Sequence, residues 1–333
     1  MNATVLGAGA WGSALALLLQ NRGISTSLWT WQQDHADEMI ASRQNPFLPG
    51  IELPPEMSVT ANIEEAVRGA DYLVLVVPSQ ALRSTLKAAA PFLGQCRGIV
   101  GASKGIEEGN LLLMSEVVEE VLQEHKVPPL PFAALSGPSF AKEVAVEVLT
   151  NLVAASTDLQ FAEDVQALFA TDWLRVYTSS DPIGVEVGGA LKNVIAIAAG
   201  ACEGLGLGKN TQAALITRGV AEMARLVEAK GGERLTMAGL AGMGDLVLTC
   251  TGELSRNRTL GFKLGQGLSV EDALSTSQGV AEGYVTAQST HDLAKKIDVD
   301  LPICEAVYSV LYGERSLDDA LRALLSRPLR SEW

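Results

Sequence analysis

Several residue patterns in this chain could do chemistry. Lys192 lies in Glu186-Val187-Gly188-Gly189-Ala190-Leu191-Lys192-Asn193-Val194-Ile195-Ala196-Ile197, an apolar stretch rich in small residues. Burying an amine in such a helix disfavours its charged form and suits it to proton transfer. Its long stem could equally carry the charge out to water at the helix edge. Asp245 follows the glycine-rich turn Ala241-Gly242-Met243-Gly244 and opens another apolar run. It is either a helix N-cap or a carboxylate that holds a lysine amine and substrate hydroxyls. Ser255-Arg256-Asn257-Arg258 offers a guanidinium, a hydroxyl, an amide and free N–H groups at a helix start. That set suits a phosphate; a solvated basic helix start is the plainer alternative.

A further pattern opens the chain. In Val5-Leu6-Gly7-Ala8-Gly9-Ala10-Trp11-Gly12 the glycines follow the spacing G-x-G-x-x-G between a short strand and a helix. In that context Gly7 permits a tight turn, Gly9 lets the backbone approach a pyrophosphate, and Gly12 lets the helix pack on the strand. The helix N-terminus then points at the phosphates. A glycine-rich strand–helix turn without a ligand is the alternative. Two more loops follow candidate strands, where open α/β sheets bind ligands. Ala102-Ser103-Lys104-Gly105 carries a cation, and Ser136-Gly137-Pro138-Ser139-Phe140-Ala141 permits close backbone approach and hydroxyl bonding. Each is otherwise an ordinary turn.

The elements that must position these residues alternate in the first half. Candidate strands at 4–6, 27–29, 72–77, 98–100, 132–135 and 152–155 are short apolar runs separated by helical segments at 63–67, 81–90, 111–124 and 159–169. This alternation predicts a Rossmann-type, doubly wound and mainly parallel sheet, covered on both faces. The proline-rich stretch 45–55 predicts an irregular loop. From Asp181-Pro182 onward, helical periodicity dominates at 183–201, 212–230, 285–296, 303–312 and 316–325. The expected organisation is therefore α/β: a dinucleotide-binding domain over 1–181 and an all-helical substrate domain over 182–333.

Composition narrows the function. The 333 residues, 47% hydrophobic, suffice for two cores. A net charge of −14 argues against a general nucleic-acid or anionic-membrane surface. Cys96, Cys202, Cys250 and Cys304 lie far apart, which suits reduced thiols in the cytoplasm and neither a disulfide frame nor a metal site. Strand-like sequence from Asn2 leaves no room for a signal peptide. The apolar run 185–202, interrupted by Glu186, Lys192 and Asn193, reads as a buried helix and not a membrane span.

Together these segments resemble the bacterial type of NAD(P)-dependent glycerol-3-phosphate dehydrogenase. The resemblance spans nearly the whole chain. It rests on the fingerprint, on Val77-Pro78-Ser79, Ser103-Lys104-Gly105 and Ser136 to Ala141, and on Gly189 to Asn193, Gly242 to Leu246, Thr249-Cys250, Ser255 to Arg258 and Gln278 to Gly283. It implies interconversion of sn-glycerol 3-phosphate and dihydroxyacetone phosphate with NADPH or NADH, supplying glycerol 3-phosphate for phospholipid synthesis. It implies Lys192 as proton acceptor in the oxidation direction, oriented with the substrate by Asp245 and Asn193. Lys104, Gly137 and Ser139 become substrate contacts, with Lys104 also near the nicotinamide. Ser255, Arg256 and Asn257 become the phosphate end, and Ala10, Trp11, Trp31, Ala141, Arg256, Val280 and Glu282 further cofactor contacts. A cytoplasmic homodimer is also implied.

Cofactor choice departs from the simplest pattern. NAD-specific folds usually carry an acid about 20 residues beyond the glycines. Here that region reads Leu28-Trp29-Thr30-Trp31-Gln32-Gln33, and the first acid is Asp34. The missing acid permits a 2′-phosphate, and Arg43 is the nearest base, so use of both cofactors with NADPH favoured is expected. Two other readings compete. A wider hydroxy-acid dehydrogenase would share the layout but give no reason for Ser255-Arg256-Asn257. A redox-sensing dinucleotide-binding protein would need no Lys192–Asp245 pair.

Overall fold

The computed structural model describes residues 1–276, 282–329 and 331–332. They divide into two compact units, one of residues 1–107 and 112–186, the other of 108–111 and 187–333. The first unit is built on eight strands: β1 (Asn2–Leu6), β2 (Ser25–Trp29), β3 (Ser58–Thr60), β4 (Tyr72–Leu75), β5 (Gly98–Gly101), β6 (Phe132–Ser136), β7 (Thr150–Ala155) and β8 (Leu174–Ser179). They form one sheet in the order β3-β2-β1-β4-β5-β6-β7-β8. Every described pairing is parallel except β6 with β7. The order reverses direction between β1 and β4, and Leu6 stands level with both Trp29 and Leu75. The glycine-rich turn therefore leaves the sheet at its topological switch point, where such sheets bind ligands.

Strand side chains alternate between two cores. Val5, Leu28, Val74 and Val100 pack into one, and their neighbours Leu6, Trp29, Leu73, Leu75 and Ile99 into the other. This period of two buries both faces, which is why the strands read as unbroken apolar runs. The first core is covered by α1 (Ala10–Asn21), through Leu15 and Leu19, and by residues of α2 (Gln33–Ser42), α6 (Ala141–Ala145) and α7 (Leu159–Phe169). The second is covered by α3 (Ile63–Val67), α4 (Ser79–Ala89) and α5 (Met114–Glu124), through residues such as Leu82, Leu86, Val117 and Val121. The short strand β3 and the half-exposed β8 lie outside the predicted set. β3 is three residues long, and Arg175 and Tyr177 interrupt the apolar pattern of β8.

The second unit is helical, with no strand among its described residues. It contains most of α8 (Pro182–Gly204), then α9 (Lys209–Ala229), α10 (Asp245–Thr251), α11 (Arg256–Gly265), α12 (Val270–Ser275), α13 (Glu282–Lys296), α14 (Pro302–Leu311) and α15 (Leu317–Leu325). The division falls within α8. Glu186 accepts hydrogen bonds from the Ser115 N–H (2.8 Å) and hydroxyl (2.5 Å), tying the first turn of α8 to the start of α5. α8 is long and apolar enough to cross a membrane, but 89% of its most apolar window is buried. The short helix α12 falls outside the sequence-predicted set, because six residues show no helical period, whereas α10 and α11 begin at the two helix starts considered there, Asp245 and Ser255-Arg256.

Candidate active site

In the first unit the fingerprint forms a turn that only glycine permits. Gly7 has φ +122°, and a side chain there would press on the Val76–Val77 backbone. A methyl on Gly12 would overlap the Gly7 carbonyl, so its absence sets how closely α1 approaches β1. Gly9 faces open space and is the N-cap of α1 without any side-chain cap. The first-turn N–H groups, those of Ala10, Trp11 and Gly12, thus await an outside acceptor, which fits a pyrophosphate. The half-buried Trp11 also presents a buried indole N–H that has no partner among the described residues. Trp31, just past β2, is 75% exposed.

The two loops at strand ends are held by their own backbones. The Ala102 and Ser103 N–H groups both donate to the Leu75 carbonyl, and the Ser103 hydroxyl donates to Val77 O at 2.6 Å. Lys104 follows, half-buried. After β6, Gly137 takes φ +139°, and a side chain there would press on the Asn151 carbonyl. The Ser139 hydroxyl donates to Gly137 O at 3.0 Å, and Ala141 begins α6. Arg43, the nearest base in sequence to the end of β2, is engaged by the loop that follows it. Its guanidinium donates to the carbonyls of Leu53, Pro54 and Met57 and pins the 45–57 loop.

In the second unit, Lys192 Nζ lies 2.5 Å from Asp245 Oδ1, with side chains 9% and 2% exposed. Asp245 does not cap a helix. A π-helical turn, Leu240–Gly244, runs directly into α10, and the carboxylate is turned to the lysine instead. Thr249, one turn on, donates its hydroxyl to the Asp245 carbonyl at 2.6 Å. Burial pushes the neighbouring Cys250 thiol up to about 12, so it stays protonated at neutral pH. The adjacent Asn193 amide is 3.5 Å from Glu282, which begins α13. Asn257 is buried, and its Oδ1 accepts the Gly283 N–H at 2.9 Å. Ser255 is the N-cap of α11, accepting from the Arg258 N–H. Arg256 is the first residue of that helix, exposed and without an ion-pair partner among the described residues.

Family comparisons follow these elements. The profile described as NAD-dependent glycerol-3-phosphate dehydrogenase N-terminus matches residues 2–162, and the corresponding C-terminus profile matches 181–322. The chain belongs to the NAD-dependent glycerol-3-phosphate dehydrogenase family. It is 52% identical to the glycerol-3-phosphate dehydrogenase [NAD(P)+] of Geobacter sulfurreducens over 98% of each chain. The crystal structure of glycerol-3-phosphate dehydrogenase from Coxiella burnetii superposes with TM-score 0.93 at 38% identity, covering 98% of this chain and 99% of that one. The yeast enzyme gives TM-score 0.80 at 25% identity, with the same coverage.

Within this family member, the structure brings together Lys192 with Asp245, Asn193 with Glu282, and Asn257 with the first turn of α13. Val280 lies outside the described residues. What positions these groups was not anticipated from the sequence. α8 and α11 cross at backbone contact: a methyl on Gly261 would overlap the Ile197 carbonyl, and one on Gly200 the Arg258 carbonyl. Gly204 and Gly265 repeat the approach one turn along. A bidentate ion pair, Arg258 to Glu203 at 2.9 and 2.6 Å, fastens the same crossing. The spacing of four in Gly200–Gly204 and Gly261–Gly265 was the available signal. A recess of about 740 Å³ in this unit, lined by Ile197, Leu215, Val307 and Leu321 among others, contains none of the sequence-predicted site residues.

Proposed function

We propose that this chain interconverts sn-glycerol 3-phosphate and dihydroxyacetone phosphate, using NADH or NADPH in the reductive direction. The observation that carries this is the buried Lys192–Asp245 pair in a chain of this family. In oxidation, Lys192 Nζ in its neutral form accepts the C2 hydroxyl proton, and in reduction it returns that proton. Asp245 holds the amine in place and accepts a substrate hydroxyl. Asn193, beside Lys192 on α8, orients the same end of the substrate. When bound, the nicotinamide supplies the hydride donor or acceptor. Gly7, Gly9, Ala10, Trp11 and Gly12 would hold its pyrophosphate, with Trp31, Lys104, Ala141, Arg256, Val280 and Glu282 as further contacts.

Ser255, Arg256 and Asn257 take the substrate phosphate. The exposed Arg256 guanidinium at a helix start, without an ion-pair partner among the described residues, supports this, since helix N-termini and guanidinium forks both favour anions. Remote binding of that phosphate orients the reacting carbons. Lys104, Gly137 and Ser139 complete the substrate contacts. The in-cell direction we propose is reductive, toward phospholipid precursors in the cytoplasm. We also propose a homodimer, supported by exposed Leu235, Leu254, Leu325 and Leu329 on the helical unit. The deciding assay is NAD(P)H consumption that depends on dihydroxyacetone phosphate and fails with unphosphorylated dihydroxyacetone. Equal turnover of both ketones would remove the phosphate site from the mechanism.

A further inference from the structure

Beyond the end of β2 lies a recess of about 490 Å³ whose lining includes Gln32, Gln33, Asp34, His35, Glu38 and Phe47. In dinucleotide folds this strand end meets the adenosine ribose, so its charges decide whether a 2′-phosphate is tolerated. The formal charges in that lining are acidic: Asp34 and Glu38, one helical turn apart on α2 and both exposed. Among the described residues no lysine or arginine lines the recess. Arg43, the nearest base in sequence, spends its guanidinium on three carbonyls of the 45–57 loop.

His35 is likewise engaged within the protein. Asn45, 1% exposed, donates through Nδ2 to the Ala8 carbonyl (2.9 Å) and the Ser13 hydroxyl (2.6 Å). Its Oδ1 accepts the Phe47 N–H at 2.9 Å. With the amide so oriented, the 3.2 Å contact between Oδ1 and His35 Nε2 requires Nε2 to be the donor. Nδ1 lies 3.0 Å from the Thr30 hydroxyl. Both nitrogens of the buried ring are therefore engaged by protein groups.

We infer that this recess selects NAD(H) over NADP(H), the reverse of the preference expected from the sequence. The inference rests on the cofactor assignment of the glycine-rich turn. A 2′-phosphate carries roughly two negative charges, and here it would meet two carboxylates with no lysine or arginine among the described lining residues. Solvent screening keeps the penalty moderate, about tenfold in affinity at low salt.

The test is equilibrium binding of NADH and of NADPH to the intact protein, followed by quenching of tryptophan fluorescence, without turnover. NADPH should bind about tenfold more weakly than NADH at low ionic strength, and the gap should narrow as salt is added. Asp34→Asn with Glu38→Gln should close most of the gap, and Gln32→Arg should raise NADPH affinity while leaving NADH affinity nearly unchanged. All three sites are exposed, so circular dichroism should match wild type. Equal or tighter binding of NADPH by wild type, or an unchanged ratio in the double variant, would overturn the inference and leave the cofactor assignment standing. Failure to bind either cofactor would overturn the assignment itself.

Discussion

Replacing Lys192 by Met keeps the length and apolar packing of the side chain and removes only the amine. Asp245, 2% exposed, then keeps a buried charge without the cation 2.5 Å away. Two unit charges about 4 Å apart interact by roughly 4 kcal/mol at an effective dielectric of 20. Stripping one partner from a buried pair typically costs about 3–5 kcal/mol of stability. Adding Asp245→Asn removes the stranded charge, so the double variant should regain most of that loss. Activity should behave differently. Loss of a positioned proton-transfer group lowers kcat by about 10²–10⁴-fold, and the double variant should be no faster than Lys192→Met. Stability by urea unfolding and single-turnover rates by stopped flow, measured on the same samples, separate the two effects. NADH binding should be unaffected, because the glycine-rich turn lies in the other unit. A Lys192→Met protein with kcat near wild type, or a double variant that regains rate along with stability, would refute the assignment.

Three other outcomes follow from the same geometry. Arg256→Ala should lower kcat/KM for dihydroxyacetone phosphate by about 2 kcal/mol, roughly 30-fold, with little effect on folding, and Arg256→Lys should recover little because an ammonium cannot copy the fork; steady-state kinetics with unchanged KM would place the phosphate elsewhere. Gly261→Ala forces a methyl onto the Ile197 carbonyl and should cost about 1–3 kcal/mol, seen as a lowered Tm, together with reduced turnover as α11 shifts from α8; an unchanged Tm would mean the crossing has slack. Glu222, buried where it accepts the Ile303 and Cys304 N–H groups, is pushed up by burial to about 7. A carboxyl raised in the folded state stabilises the fold most below its unfolded value near 4.5, and that advantage is lost as pH rises to about 7. Glu222→Gln should therefore flatten the decline in stability across this window, worth on the order of 3 kcal/mol for a shift of this size; identical pH slopes in urea unfolding would contradict it.

The sequence by itself determined the sheet, the glycine turn and the identity of the reactive groups. Each is written in local pattern: apolar runs for doubly covered strands, a three-glycine spacing for a turn no side chain permits, and a lysine among small apolar residues. Whether Lys192 reached solvent and whether Asp245 capped a helix stayed open. Both alternatives satisfy the same local preferences, and the two residues stand far apart in the chain. The tertiary structure decided between them by bringing the turn that leads into α10 against α8, where Gly188 leaves room for the Ala241 carbonyl. It likewise decided the partners of Arg43, whose guanidinium holds the 45–57 loop, and of His35, whose ring nitrogens meet Thr30 and Asn45. Charge in a sequence is a count. Which charges face a ligand is set by the hydrogen bonds each one has already made, and those partners arrive from distant parts of the chain.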